Sequence, residues 1–288
     1  MTPTLVRQHT SHAEAAPRVD LSARARDWSE IQERMLVPLY EAVYDRLEVG
    51  PATRLLGLRC GSGLALLMAA SRGAAITGVD SASPERLALA RERLLPGTPP
   101  GRGGDGGRGT RARTPAALLD GPPTATDVPE QGAYTLVTAF EPVGGLAGDA
   151  EGLGDLLADV LPLAGRGAAV VLAGWGPPER CATSSVLRVA AKLADSRPPA
   201  RRDDLEEVAG RAGLKPDGSG RVACPFGYAD LDSAVRGLLS TGLFDTAIAA
   251  TDAKQVDKEL TEALHPHRRP DGTVWMPNVF RYLIARVP

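Results

Sequence analysis

The chain has 288 residues, 43% hydrophobic and 24% charged, long enough to bury a full core as one elaborated domain. A formal charge of −2 supplies no basic field for nucleic acid or an anionic membrane, and the apolar runs are strand-sized, too short to span a bilayer. Cys60, Cys181 and Cys224 are too scattered for a zinc site and odd in number, which suits small buried residues in a reducing cytoplasm.

Residues 1–19 mix Pro, Thr, His and charge without periodicity or an apolar signal region, and read as a flexible arm before a single domain over 20–288. A helical cap is expected over 20–48. Its apolar residues Trp28, Ile31, Met35, Leu39, Val43 and Leu47 recur every three or four positions, with a kink predicted at Pro38. Residues 54–58 read as a first strand that runs straight into Arg59-Cys60-Gly61-Ser62-Gly63 and a helix. A second strand over 75–79 ends on Asp80. Ser83-Pro84-Glu85 then opens a helix to Leu94, with Ser83 as its cap.

Between 96 and 115 the composition collapses to Gly, Arg, Pro and Thr, which predicts a disordered Gly/Arg-rich insertion. A third strand is expected within 115–119. A fourth strand over 134–140, a helix over 149–161 and a fully buried fifth strand over 168–173 follow. Helices are expected over 184–194, from Asp204 to Gly213, and over 230–250 and 256–264, the stretch 230–265 forming a helical lid insertion. Strands are expected at 222–226 and 279–285. The alternation predicts an α/β fold with a doubly wound, mainly parallel sheet, closed by an antiparallel edge pair.

A strand, a glycine turn, a helix and a second strand tipped by an acid form the first half of a nucleotide-binding unit. Glycine leaves the backbone N–H groups at the helix start open to a ligand, and the terminal carboxylate can accept ribose hydroxyl protons. The third glycine that a dinucleotide needs is missing, which argues against NAD. The run Leu56-Gly57-Leu58-Arg59-Cys60-Gly61-Ser62-Gly63, Asp80 in Gly78-Val79-Asp80, and the segment from Tyr134 to Glu141 resemble the motifs of class I S-adenosylmethionine (SAM)-dependent methyltransferases. Gly174-Trp175-Gly176-Pro177-Pro178-Glu179 and Phe280-Arg281-Tyr282-Leu283 resemble a bacterial quinone- or small-molecule branch.

The resemblance covers most of 21–288 and implies a seven-stranded Rossmann-like sheet, SAM as cofactor and in-line methyl transfer to a small-molecule acceptor. It puts Arg59, Cys60, Gly61, Gly63, Asp80, Ser81 and Phe140 at the cofactor, and Glu141, Trp175 and Trp28 at the acceptor. The spacing of the cysteines and of His265 and His267 predicts no metal site, and a homodimer stays open. Each candidate also has a plainer role: Gly61 and Gly63 in a tight turn, Asp80 as a helix cap, Phe140, Trp175 and Trp28 as core, and Glu141 as a solvated acid. Asp120, as an adenine contact after the third strand, stays open. None of His9, His12, His265 and His267 lies near the fourth-strand motif, so no general base is named; positioning supplies much of the catalysis in such a displacement. Two positions depart from the family pattern. Its acid is Gly57 here and its first glycine is Arg59, which keeps a catalytically degenerate binding or regulatory module as the alternative.

Overall fold

The computed structural model describes residues 20–96, 116–128, 132–146, 150, 152–194 and 205–288. The expected arm over 1–19 and the insertion, apart from Pro96, lie outside the described residues.

Helix α1 (Leu21–Asp27) starts where the Asp20 carboxylate accepts from the N–H groups of Ser22 and Ala23, both at 3.0 Å. The expected kink at Pro38 is absent. Pro38 sits instead in the first turn of α2 (Val37–Arg46), where its missing N–H has no helical partner to lose. The irregularity falls earlier, as a π turn over Trp28–Gln32 and a 3-10 turn over Glu33–Leu36. The wider π turn breaks the 3.6-residue period and rotates the polar residues Ser29, Gln32 and Glu33 into the interior.

The sheet holds β1 (Arg54–Leu58), β2 (Ala75–Val79), β3 (Ala116–Leu119), β4 (Tyr134–Val143), β5 (Ala164–Trp175), β6 (Lys215–Ala223) and β9 (Val279–Arg286) in the order β3-β2-β1-β4-β5-β9-β6. The strands from β3 to β5 run parallel, and β9 is antiparallel to both of its neighbours. The closing pair is therefore antiparallel, as expected, with the apolar β9 inside and β6 on the edge. The sixth strand, however, does not lie over 222–226. Its sequence, Lys-Pro-Asp-Gly-Ser-Gly-Arg-Val-Ala, lacks apolar alternation because an edge strand is largely wet, and β9 sets its register. Phe226 belongs to β7 (Phe226–Tyr228), which pairs with β8 (Val274–Met276) in a separate hairpin.

Helices α3 (Leu64–Ser71), α4 (Pro84–Leu94), α5 (Leu153–Val160), α6 (Thr183–Leu193) and α7 (Leu205–Arg211) follow the strands. Ser83 caps α4 through its hydroxyl, as expected. The stretch read as one helix over 230–250 is two, α8 (Leu231–Leu239) and α9 (Asp245–Ala250), broken near Gly242 at φ +85°; α10 (Ala253–Leu264) follows. One apolar core joins α2, α3, α6, α8 and α10 to one face of the sheet, and a second joins α5 and α7 to the other. The chain order reverses between β1 and β4, so their C-terminal tips open the crevice at which α/β sheets bind ligands.

Candidate functional site

The turn after β1 takes left-handed backbone at Arg59 (φ +47°), Gly61 (φ +58°) and Gly63 (φ +79°). Glycine adopts this without penalty, whereas an arginine there costs about 1–2 kcal/mol. At Gly57 a Cβ would stand 2.9 Å from Leu66 Cδ2, so Leu66 fills the space that a carboxylate at this position would need.

Four backbone donors of the turn are taken by the protein itself. Cys60 N–H donates to Val79 O (3.0 Å) and Gly63 N–H to Cys60 O (3.0 Å). Gly61 N–H donates to Asp80 Oδ2 at 3.0 Å, and Leu64 N–H to Glu33 Oε1 at 3.3 Å. Asp80 Oδ1 also accepts from Ala82 N–H (3.1 Å) and Ser83 N–H (3.2 Å). Only 5% exposed, Asp80 thus acts as a brace between the two strand tips. Burial raises its pKa, and the backbone hydrogen bonds and the Arg86 guanidinium oppose that rise only in part.

Glu33 supplies a second internal carboxylate at the start of α3, and it is 2% exposed. It accepts from the Ser62 hydroxyl and pairs with Arg93 Nη1 at 2.9 Å. Arg93 Nη1 also donates to Ser62 O (2.8 Å), and Arg93 Nη2 donates to Ser29 Oγ (2.8 Å). The unpaired N–H groups and dipole of a helix start favour a negative charge, and Glu33 provides it from within the chain.

Trp28 lies across the same turn. Its indole Nε1 is 3.1 Å from where a Cβ on Gly61 would be, and the Arg86 guanidinium stacks on its ring at 4.2 Å. Arg86 Nη2 donates to Ser240 O at 2.6 Å, and Glu141 stands between Arg86 (3.9 Å) and Arg59 (3.6 Å). The Trp28 N–H is buried without a partner among the described residues. What remains between these groups is a cavity of about 30 Å³.

Of the residues singled out from the sequence, Trp28, Arg59, Cys60, Gly61, Phe140 and Glu141 line that cavity together. Gly63 shapes the turn, and its missing Cβ makes room for Ala90 and Leu94. Ser81 is exposed beside Asp80, and Asp120 is exposed at the tip of β3. Trp175 is not among the lining residues; it packs on Phe280 (4.7 Å) and Phe226 (6.0 Å). Burial holds the Cys60 thiol well above its ordinary pKa, so it stays protonated. Glu33, Arg86, Arg93, Ser29 and Ser62 were not visible as site residues, because in a regular helix Ser29 and Glu33 read as a solvated face.

No family model matches the chain, and no curated protein matches it. Solved structures do. BH2331 of Bacillus halodurans C-125, a candidate methyltransferase, is 12% identical over 86% of this chain and 98% of its own, with a TM-score of 0.51. A chain of the Haloferax volcanii complex between the Trm112 methyltransferase activator and a candidate methyltransferase is 18% identical over 94% and 99%, with a TM-score of 0.50. A SAM-dependent methyltransferase of Thiobacillus denitrificans, solved with S-adenosyl-L-homocysteine, is 18% identical over 94% and 99%, with a TM-score of 0.49.

The fold is that of the class I methyltransferases. At these identities the likeness concerns the fold alone, and the cofactor has to be judged on this chain's own residues. Among the described residues, the space beside this turn is too small for it. Pockets for ligands of that size run to about 300–1,000 Å³, against the roughly 30 Å³ left here. The Glu33 carboxylate and the Trp28 indole lie on the turn that the sequence resemblance assigns to the cofactor. Among the described residues no cluster of His, Cys, Asp and Glu could hold a metal ion, and no helix is long and apolar enough to cross a membrane.

Proposed function

We propose that this chain is a methyltransferase-fold protein whose cofactor crevice is filled by its own side chains, and that it works at rest as a binding or regulatory module. The observation that carries this reading is Trp28, which is 7% exposed and wedged between the Gly61 turn and Arg86. Gly57 and Arg59 support it. The first has lost the family's acid to the space taken by Leu66, and the second puts a guanidinium at the crevice mouth.

A second reading is SAM-dependent methyl transfer to a small-molecule acceptor. It is favoured by Gly61, Gly63 and Asp80, which stand where the fold would receive a nucleoside, and by the buried Trp28 N–H, which has no acceptor among the described residues. Calorimetric titration with S-adenosyl-L-homocysteine separates the two. The first reading predicts no binding heat up to about 1 mM ligand. Micromolar affinity that disappears in Asp80→Ala would establish the second instead.

A further inference from the structure

On the reading that the crevice is self-filled, we infer that the segment Trp28–Leu36 is a releasable plug, and that the Ser29–Glu33–Ser62–Arg93 cluster is its latch. The helical hydrogen bonding is least regular in this segment, which passes from π to 3-10 geometry within nine residues before α2 resumes. Such mid-helix irregularity marks hinges. Every group of the segment that reaches the turn is a side chain: the Trp28 indole, the Ser29 hydroxyl and the Glu33 carboxylate.

Withdrawing the segment would free, in one movement, a backbone donor at the start of α3 and space beside the turn. Leu64 N–H would lose Glu33, the face of Gly61 would lose the indole, and the 30 Å³ cavity would join the volume vacated by Trp28. Asp80 would stay, because its three backbone donors come from Gly61, Ala82 and Ser83, outside the plug. Among the described residues Oδ2 accepts from Gly61 N–H alone, which leaves a carboxylate lone pair for a ribose hydroxyl. The helix before the segment and the middle of the segment are each tied to a neighbouring element. Arg24 makes a two-point contact with Asp245 (2.9 Å to each oxygen), and Tyr228 OH donates to Gln32 Oε1 at 3.0 Å. Release therefore has to break the Gln32 bond to β7, while the Arg24 contact keeps α1 on α9.

The test compares wild type, Trp28→Ala and Arg86→Ala by calorimetric titration with S-adenosyl-L-homocysteine and by amide hydrogen exchange, each variant first shown to melt cooperatively. The plug predicts that Trp28→Ala binds at least about tenfold more tightly than wild type. It also predicts faster exchange over 28–36 and at Leu64 in that variant. Arg86→Ala keeps the indole and removes the guanidinium that stacks on it, together with its contacts to Ser240 O and Glu141, so it carries the test if Trp28→Ala fails to fold; a smaller gain in the same direction is expected. Folded variants that bind no more tightly than wild type would overturn the plug. Micromolar binding by wild type would instead overturn the self-filled reading, so the two failures are read from different samples.

Discussion

Glu33 shows how much one side chain can decide. A carboxylate 2% exposed survives only if charge and hydrogen bonds answer it, and here Arg93, the Ser62 hydroxyl and the Leu64 N–H do so together. Removing one partner of a buried pair strands the other. Because Arg93 keeps some contact with solvent, the loss is discounted from the fully buried case. Glu33→Gln is expected to lower unfolding free energy by about 2–4 kcal/mol in urea denaturation; a loss well under 1 kcal/mol would mean that the cluster does not hold the segment. Asp80 carries a sign opposite to that of most carboxylates. Its folded pKa lies above the unfolded value because burial outweighs its hydrogen bonds, so the native state binds the proton more tightly. The associated stability is fully present below the unfolded pKa and is lost as pH rises through the folded one. The melting temperature of wild type relative to Asp80→Asn should therefore rise as pH is lowered from neutrality toward the ordinary carboxylate range, and a relative fall would contradict this account.

At the scale of elements, most of the fold was legible because its signals are local. Strands β1, β2, β4, β5 and β9 are apolar runs, and Ser83 with Pro84 marks the start of α4 through the cap that it forms. What was not legible depends on neighbours. Strand β6 is read only through β9, where Gly220 lies against the Tyr282 ring. The π turn was hidden because the period of Trp28, Ile31 and Met35 looks like an ordinary helix, yet this turn brings Ser29 and Glu33 to the site. The Gly61 turn and the Asp80 tip could be read from sequence, while the side chains that fill the crevice come from several separate elements. Close packing at the end of β5 offers a controlled check. A Cβ on Gly176 would stand 2.4 Å from Val279 O, whereas one on Gly154 in α5 meets nothing within 4 Å. Gly176→Ala should destabilise by about 1–3 kcal/mol, and Gly154→Ala should stabilise by about 0.5–1 kcal/mol. Equal effects in thermal melts would show that the β5–β9 junction is looser than described.

Across the whole molecule, the same closure extends from the cofactor crevice to the neighbouring aromatic residues. Tyr40 and Tyr44 pack on Phe140 at 4.9 and 5.6 Å, while Trp175 packs on Phe226 and Phe280, so the rings beside the strand tips are engaged with one another. Helix α8 adds to this, since the Ser240 carbonyl at its end holds Arg86 over Trp28. On the proposed reading, a methyltransferase fold is kept with its crevice turned into core. Burying an indole of about 150–250 Å² contributes several kcal/mol, which any nucleoside would have to outweigh before binding. The most direct measurement is a crystal structure grown in an excess of S-adenosyl-L-homocysteine. The account predicts that the Trp28 indole and the Glu33 carboxylate remain on the Gly61–Leu64 turn with no nucleoside density beside Asp80. Nucleoside density with its ribose on Asp80, and Trp28 displaced in the wild-type chain, would contradict it.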